Sequence, residues 1–267
     1  FAVITVYHTN DMHGRCGALD RLESLEKAGP CLLVDAGDAL AGSNTAFRLH
    51  EPILDRMSRL GYQAMAMGNR EFHYLRGVQH LRARQRTFPL LAANLVDLRG
   101  GPAFWQPALE LQVGGVRVGL LGATPVQYPP GAFWERLFGF RFLAPEDCLP
   151  PLAAELAARN DLVLLLSHLG LAADRRLASR LSGVHLILGG HSHTLLTEPE
   201  RVGRTQIVQA GSHGSFLGEL RIDPGDPLRL AYRLIPGDPA GPSPRPRASE
   251  GGAFRQGPEK HPAARPR

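Results

Sequence analysis

Two histidines separated by one residue follow an apolar stretch in the second half of the chain. Residues 189–194 read Gly-Gly-His-Ser-His-Thr, directly after Val-His-Leu-Ile-Leu, which has the character of a buried strand. Neutral imidazole is the commonest metal ligand among protein side chains, so His191 and His193 suggest a metal site. Because a metal site needs three or four ligands, other parts of the chain must supply more donors.

Four other strand-like stretches end in similar polar groups. In open α/β sheets, ligands bind beyond the carboxyl ends of the strands, and here those ends carry Asp11, His13, Asp38, Asn69 and His168. Each residue alone has an ordinary structural explanation, such as a helix cap, a turn or a core histidine. Together with the two histidines above, they form a set of oxygen and nitrogen donors that suits Mn, Zn, Fe or Co and is large enough for two divalent metal ions.

Strand-like and helical patterns alternate through most of the sequence. We predict strands at 2–8, 31–35, 63–67, 89–93, 116–122, 162–167 and 185–188, and helices at 18–27, 52–60, 75–84, 146–159 and 174–181. Segments 109–113 and 116–120 predict a hairpin, and segments 206–209, 216–222 and 228–235 predict an antiparallel meander. This order is typical of an α/β fold in which helices cover a pair of mixed sheets.

Composition and charge exclude some classes of partner. The 267 residues include 43% hydrophobic residues, as in an ordinary globular protein. Apolar runs such as 162–166 are far shorter than the roughly 20 residues that cross a bilayer, so we expect no membrane partner. The net charge is +5, of which residues 236–267 contribute +3 (six Lys/Arg minus three Asp/Glu). The nearly neutral remainder makes nucleic acid an unexpected partner.

The composition also predicts how the chain is divided. Residues 1–235 are expected to form one domain, and residues 236–267 a disordered tail rich in Pro and Arg with few large aliphatic residues. The sequence begins at Phe1 and leaves the compartment open. A periplasmic or secreted location is expected if a signal peptide has been removed, and a cytoplasmic one otherwise.

The order of the polar motifs resembles that of the calcineurin-like metallophosphoesterases. The shared order is Asp-x-His, Gly-Asp, Gly-Asn, His and Gly-His-x-His, and the longer stretches HTNDMHG, DAGDAL, LLAANL and QAGSHGSFLGEL are similar to its branch of 5'-nucleotidases and 2',3'-cyclic-nucleotide phosphodiesterases. The resemblance covers about residues 3–235. It implies a four-layer α/β/β/α sandwich with two mixed sheets and a dinuclear metal centre.

The resemblance also implies a role for each donor. It places Asp11, His13 and His193 on one metal, Asn69, His168 and His191 on the other, and Asp38 between them as the bridging carboxylate. It implies metal-dependent hydrolysis of small phosphate substrates, with nucleotides as the default. Two cations roughly 3.5 to 4 Å apart can clamp a phosphoryl group and activate a water molecule.

The chain departs from the family pattern at one catalytic motif. Where the family usually has Gly-Asn-His-Glu-x-Asp, this sequence has Gly-Asn-Arg-Glu-Phe-His. Arg70 therefore replaces the His that can protonate the leaving group, and His73 replaces its Asp partner. Arginine stays protonated, but it binds phosphate oxygens with two donors. Both residues are candidate catalytic residues.

Three interpretations follow from Arg70. The enzyme could act with the metals and Arg70 on leaving groups that need no proton, such as phosphate anhydrides and aryl phosphates. Alternatively, His73 could move in as the acid, or the centre could bind phosphate without cleaving it. Because a general acid contributes only about 10² to 10⁴ in rate, we favour an active enzyme. A nuclease and a thiosulfate-ester hydrolase of the same superfamily are further alternatives.

Several other residues are left with two interpretations each. In the 5'-nucleotidase branch a further C-terminal domain usually clamps the nucleobase, whereas here the Pro-rich tail follows residue 235. The aromatic residues Trp105, Tyr128, Phe133 and Trp134 could line a substrate cleft or pack over a sheet. His8 could support the first ligand pair. His213 could lie near the site or make a turn.

Overall fold

Helices and strands alternate through the first two thirds of the chain, as the sequence pattern predicts. The computed structural model describes residues 3–27, 29–45, 48, 50–100, 104–225 and 228–238. The helices in these ranges are α1 (Gly17–Ser24), α2 (Pro52–Leu60), α3 (Arg76–Ala83), α4 (Phe133–Phe138), α5 (Pro145–Arg159) and α6 (Leu171–Ala178). The strands are β1 (Ile4–Thr9), β2 (Cys31–Asp35), β3 (Ala64–Ala66), β4 (Leu90–Leu91), β5 (Leu95–Asp97), β6 (Trp105–Gln106), β7 (Ala108–Val113), β8 (Val116–Ala123), β9 (Phe140–Phe142), β10 (Leu162–Ser167), β11 (Leu186–Gly189), β12 (Glu200–Val202), β13 (Thr205–Val208), β14 (Phe216–Asp223) and β15 (Arg229–Pro236).

Most of the strands belong to two mixed sheets. The first sheet has the order β15-β14-β1-β2-β3-β4-β6, and the second has the order β12-β13-β11-β10-β8-β7. From β1 to β6 the neighbouring strands are parallel, whereas β14 and β15 pair antiparallel. In the second sheet β8, β10, β11 and β13 are parallel, and the edge strands β7 and β12 are antiparallel to their neighbours.

The alternation of side chains along the strands produces four layers. One apolar core lies between the two sheets and includes Val6 and Val34 of the first sheet with Leu164 and Leu188 of the second. The outer face of the first sheet packs against α1 and α2, and the outer face of the second packs against α5 and α6. The predicted α/β/β/α sandwich with two mixed sheets is confirmed.

The prediction of a three-stranded antiparallel meander near the end of the chain is wrong. Only β14 and β15 form such a pair, whereas β13 runs parallel to β11 in the other sheet. The chain crosses between the sheets in the short connection from Val208 to Phe216. β13 lies beside β11, a buried strand whose other neighbour is β10. The crossing also brings the end of β13 to the edge where β1 and β11 end.

Two other expectations concern the chain beyond the sheets. The predicted domain boundary at residue 235 lies within the last strand, which ends at Pro236. Residues 239–267 of the predicted tail lie outside the described residues, so its disorder stays a prediction. No helix in the described part of the chain combines the length and apolar character needed to cross a membrane.

His8 points into the core between the sheets and not towards the predicted ligands. Its ring stacks on Tyr232 with centroids 6.0 Å apart, and a Cβ at the opposite residue, Gly218, would lie 2.0 Å from Nε2. Neither ring nitrogen has a hydrogen bond to another described residue. Burial lowers the pKa of His8 to about 3, so the folded protein holds a neutral imidazole.

This buried histidine should make folding stability depend on pH. The unfolded chain binds a proton at His8 below about pH 6.5, whereas the folded chain does not until about pH 3. Stability is therefore lost as the pH falls between those values. We expect the free energy of unfolding to fall by about 2 kcal/mol more between pH 7 and pH 5 in the wild type than in His8→Leu. Urea denaturation measures this difference, and parallel pH profiles would contradict the assignment.

Candidate metal centre

Five parallel strands end at the same edge of the sandwich, and the predicted ligands follow those ends. β1 and β2 of the first sheet lie beside β3, while β10 and β11 are neighbours in the second sheet. The residues that follow the five strands are, in chain order, Asp11 and His13, Asp38, Asn69, His168, and His191 and His193. The fold therefore brings both sheets' candidates to one edge.

Asp11 occupies the centre of the cluster. Its side chain is buried, and Oδ1 lies 3.3 Å from Nε2 of His193, 3.8 Å from Nε2 of His168 and 3.9 Å from Nε2 of His13. The Nε2 atoms of His13 and His193 are 3.0 Å apart. Asp11, His13 and His193 thus present three donor atoms within 4.8 Å of one another, which is a spacing that one cation can span.

A second group of donors adjoins the first. Oδ1 of Asp38 lies 3.4 Å from Nε2 of His168, and these two side chains form a set with Asp11 whose donor atoms lie within 4.8 Å of one another. The ring of His191 is close by, with its centroid 5.2 Å from that of His168. In this geometry Asp11 belongs to both groups, so the bridging role of Asp38 stays a prediction.

Several buried polar atoms in the cluster fit a divalent cation. Oδ1 of Asp11, Oδ1 of Asn69 and Nε2 of His168 are buried without a hydrogen bond to any described residue, and buried polar atoms are rarely left in this state. Nδ1 of His168 lies 2.7 Å from the carbonyl oxygen of Ala36. Donation by Nδ1–H to that carbonyl leaves the Nε2 lone pair for a metal. The donor set present therefore fits the implied metal centre.

Unusual backbone conformations are concentrated at this edge. Among the described residues, the non-glycine residues with left-handed φ values are Asp11 (48°), His13 (49°), Asp38 (57°), His191 (71°), His193 (54°) and His213 (58°). Such conformations cost of order 1–3 kcal/mol each and cluster at functional sites. Five of these residues are predicted ligands, and the sixth is His213.

Glu71 holds the turns that carry Asp38 and Asn69. Its Oε2 accepts hydrogen bonds from the backbone N–H groups of Asp38 (2.8 Å) and Gly68 (2.9 Å), and Oε1 accepts one from Leu40 (3.2 Å). Burial, followed by the charge of Asp38, raises the pKa of Glu71 to about 7. A Cβ at Gly68 would lie 2.3 Å from Oδ1 of Asp38, so only glycine fits there. Glu71 was not among the residues predicted from the sequence.

Arg70 lies beside the cluster. Its Nη1 donates to the carbonyl oxygens of Ala41 (3.0 Å) and Gly42 (2.9 Å), and Nε is 3.8 Å from Oδ2 of Asp38. Burial, followed by the positive charge of Arg70, lowers the pKa of His13 to about 4. This effect on His13 is consistent with a guanidinium near that ligand. The side chain keeps 33% of its surface exposed, so a phosphate could reach it.

His73 is held in the turn before α3. Its side chain is buried, and Nδ1 accepts a hydrogen bond from the backbone N–H of Leu75 (3.0 Å). Burial, followed by the charge of Arg82, lowers its pKa, so the imidazole is neutral at pH 7 and carries no extra proton. Movement of His73 into the centre as a general acid would require the loss of this hydrogen bond.

His213 joins the cluster from the end of β13. Its backbone N–H donates to the carbonyl oxygen of Asp11 (2.7 Å), and its ring centroid lies 5.0 Å from that of His13 and 5.6 Å from that of His193. Of the two interpretations made from the sequence, proximity to the site is the one that these contacts support. The sequence signal was available, because His213 follows a strand end as the other histidines do.

The aromatic candidates divide into two pairs. Trp105 and Tyr128 are buried and donate hydrogen bonds to the carbonyl oxygens of Leu95 (3.0 Å) and Phe140 (2.7 Å), respectively, so they pack within the fold. Phe133 and Trp134 lie on α4 with 61% and 49% of their surface exposed. The possible contact of this second pair with substrate stays a prediction.

The fold and the edge cluster define a class of protein, and comparisons with known proteins agree on it. A two-sheet α/β/β/α sandwich with Asp, Asn and His donors at its strand ends is the arrangement implied by the metallophosphoesterase resemblance. The family model described as Calcineurin-like phosphoesterase matches residues 4–195. The chain belongs to the calcineurin-like phosphoesterase family.

Similar proteins include several 5'-nucleotidases. The chain is 26% identical to a 5'-nucleotidase of Vibrio vulnificus over 87% of this chain and 51% of that protein, and 30% identical to a 5'-nucleotidase of Mus musculus over 82% of this chain and 46% of that protein. The crystal structure of a 5'-nucleotidase precursor from Thermus thermophilus aligns with a TM-score of 0.74 and 28% identity, covering 89% of this chain and 55% of that one. The chain thus spans about half the length of these relatives.

Metal binding at this centre should depend on pH through His168. Burial lowers the pKa of His168, but the nearby carboxylate of Asp38, followed by the charge of Asp11, outweighs burial and raises this pKa to about 9. A ligating imidazole is neutral, so metal binding must release this proton. We expect Mn²⁺ affinity to fall roughly tenfold per pH unit from pH 8 to pH 6.

Titration calorimetry in two buffers of different ionisation enthalpy measures both the affinity and the released protons. His80→Gln, at an exposed histidine on α3, is the matched control and should retain the wild-type dependence. An affinity that does not change between pH 6 and pH 8 would contradict the role of His168.

Proposed function

We propose that the chain is a metal-dependent phosphoesterase that hydrolyses small phosphate esters or anhydrides at a dinuclear centre, with nucleotides as the default substrates. The observation that carries the proposal is the convergence of oxygen and nitrogen donors from five strand ends, with buried donor atoms that have no hydrogen bond to any other described residue. Membership of the calcineurin-like phosphoesterase family supports the reaction type. The names of the 5'-nucleotidase relatives support nucleotides as substrates.

The proposed ligands divide into two sets with one shared carboxylate. Asp11, His13 and His193 would hold one ion, Asn69, His168 and His191 the other, and Asp38 would bind both. Two divalent ions held there would supply polarisation of a phosphoryl group and a lowered pKa for a water nucleophile. Glu71 orients Asp38 through its backbone N–H, and the Ala36 carbonyl orients His168.

Arg70 is proposed to bind the phosphoryl oxygens. Its guanidinium lies near Asp38 and is partly exposed, and arginine presents a rigid pair of donors to phosphate. Because Arg70 cannot give up a proton and His73 is neutral and tied to Leu75, neither residue is a ready acid for the leaving group. We therefore expect activity to favour leaving groups that depart as stable anions.

Hydrolysis of two phosphate monoesters tests the proposed function. Protein stripped of metal and reloaded with Mn²⁺ is assayed with p-nitrophenyl phosphate and with AMP, and Asp38→Asn serves as the control for the proposed bridging ligand. We expect turnover of the aryl ester, much weaker turnover of AMP, and loss of both in Asp38→Asn. Absence of turnover on both substrates in metal-loaded protein would contradict the proposal and favour a phosphate-binding module without hydrolysis.

Substitution of Arg70 tests its contribution separately. The loss of charge-assisted contacts to the phosphoryl group should lower kcat/KM for p-nitrophenyl phosphate about 10- to 100-fold in Arg70→Ala. Arg70→Lys should lie between the two, because lysine keeps the charge without the paired donors. Arg84→Ala, at an exposed arginine just after α3, is the matched control. Equal kcat/KM values in Arg70→Ala and the wild type would exclude a role in substrate binding.

A further inference from the structure

A cavity adjoins the candidate metal centre on the side of His13 and His193. It has a volume of about 460 Å³, and its polar lining consists of Arg15, His213, Ser215 and Asp238, with glycines between them. Three chain segments form its walls: the turn after β1, the loop after β13, and residues 237 and 238 after β15. None of these side chains is among the seven predicted ligands, so the cavity is separate from the ligand set and next to it.

His213 is fixed in the wall between this cavity and the metal centre. The hydrogen bond from its backbone N–H to Asp11 and the ring contacts with His13 and His193 hold it from the side of the centre. Its left-handed φ of 58° is shared, among the described non-glycine residues, only with five predicted ligands. Strained backbone of this kind persists where the surrounding structure enforces it, so the position of His213 is built into the same edge as the ligands.

The two basic side chains of the cavity have donors available for a ligand. Oγ of Ser212 lies 2.9 Å from Nδ1 of His213, and a hydroxyl that donates to Nδ1 leaves Nε2 as the N–H donor of the ring. Within the described part of the chain, the side chain of Arg15 has no ion pair or hydrogen bond, and Nε2 of His213 has none either. A guanidinium and an imidazole N–H that line one cavity are complementary to an anionic oxygen.

We propose that Arg15 and His213 form a subsite for the phosphate next to the scissile one, so that the substrate class is compounds with two linked phosphates. This inference rests on the proposed function, because the scissile phosphate is the one at the metal centre. A separate observation also supports a substrate with two linked phosphates: Arg70 stands where the family usually has the His that can protonate the leaving group. A phosphate leaving group departs as an anion and needs no proton from the protein.

The reaction at such a substrate is a hydrolysis of the phosphate anhydride. A water oxygen forms a bond to the scissile phosphorus, and the bond from that phosphorus to the bridging oxygen breaks. The leaving phosphate takes the electron pair of the broken bond, and the proton of the water passes to solvent. Arg15 and His213 bind the leaving phosphate while its negative charge grows, so their contacts strengthen during the step.

The carboxylate of Asp238 should have the opposite effect on anion binding to Arg15 and His213. Its carboxylate lines the same cavity and opposes an anion there, so removal of its charge should tighten binding. Its backbone N–H donates to the carbonyl oxygen of Gly17 (3.0 Å), a bond that Asp238→Asn retains. The Asn substitution therefore changes the charge of the wall with little change to its shape.

Binding of a diphosphate analogue tests the subsite without turnover. Titration calorimetry compares methylenediphosphonate, which cannot be hydrolysed, with inorganic phosphate on Mn²⁺-loaded protein whose metal content is measured before and after. We expect the ratio of the two affinities to fall about tenfold in Arg15→Gln and in His213→Asn, and to rise in Asp238→Asn. Asparagine is chosen at 213 because it tolerates left-handed φ. Arg229→Gln, at the opposite end of the first sheet, should leave the ratio unchanged.

The outcomes separate this inference from the proposed function. One outcome is normal hydrolysis of p-nitrophenyl phosphate with a ratio of the two affinities that Arg15→Gln and His213→Asn do not change. This outcome would overturn the subsite and would not contradict the proposed phosphoesterase activity. A ratio that falls as expected in a protein without turnover would retain the subsite and contradict hydrolysis. Absence of binding by both anions would overturn both. Loss of bound metal in His213→Asn would instead identify His213 as a metal ligand and overturn its role in the subsite.

Discussion

The buried carboxylate of Asp11 is the constraint on which the rest of the site depends. A buried charge is costly unless it is paired and hydrogen-bonded, and Asp11 has no exposed surface. Its Oδ2 accepts hydrogen bonds from Asn10 Nδ2 and from the backbone N–H of His191, and its Oδ1 faces three imidazoles. These partners come from both sheets. The hydrogen bonds and imidazole contacts that stabilise the buried Asp11 carboxylate therefore hold the strand ends of the two sheets together.

The edge that carries the candidate ligands contains strained backbone, and hydrogen bonds hold that backbone in place. Left-handed backbone at six non-glycine positions is unfavourable, and the hydrogen bonds from Asp11 N–H to Gly37, from His13 N–H to Asp38 and from His213 N–H to Asp11 hold three of them. The two apolar cores on either side of the second sheet and the core outside the first provide the stability that tolerates this strain. A rigid, preorganised set of donors is what a metal-dependent reaction requires, because the ligands need no rearrangement when metal binds.

Much of this arrangement could be predicted from the sequence, because strand ends follow a simple rule. Apolar runs that end in Asp, Asn or His mark the carboxyl edge of a parallel sheet, and seven candidate ligands were found in this way. The partner of β13 could not be found, since strand pairing depends on contacts distant in sequence and the absence of a helix between β13 and β14 suggested an antiparallel meander. The sequence left His213 with two interpretations, a place near the site and a turn, because its position follows from the pairing of β13 with β11. The direction of the Arg70 side chain, set by the carbonyls of Ala41 and Gly42, leaves no pattern in the sequence.

Anomalous X-ray diffraction from crystals of the Mn²⁺-loaded protein is the most direct test of the dinuclear centre, because it locates the metal without any assumption about substrate. We expect two anomalous peaks roughly 3.5 to 4 Å apart at the carboxyl edge of the sheets. One peak should contact Asp11, His13 and His193, the other should contact Asn69, His168 and His191, and Asp38 should contact both. A single peak at this edge, or peaks bound by other residues, would contradict the dinuclear centre.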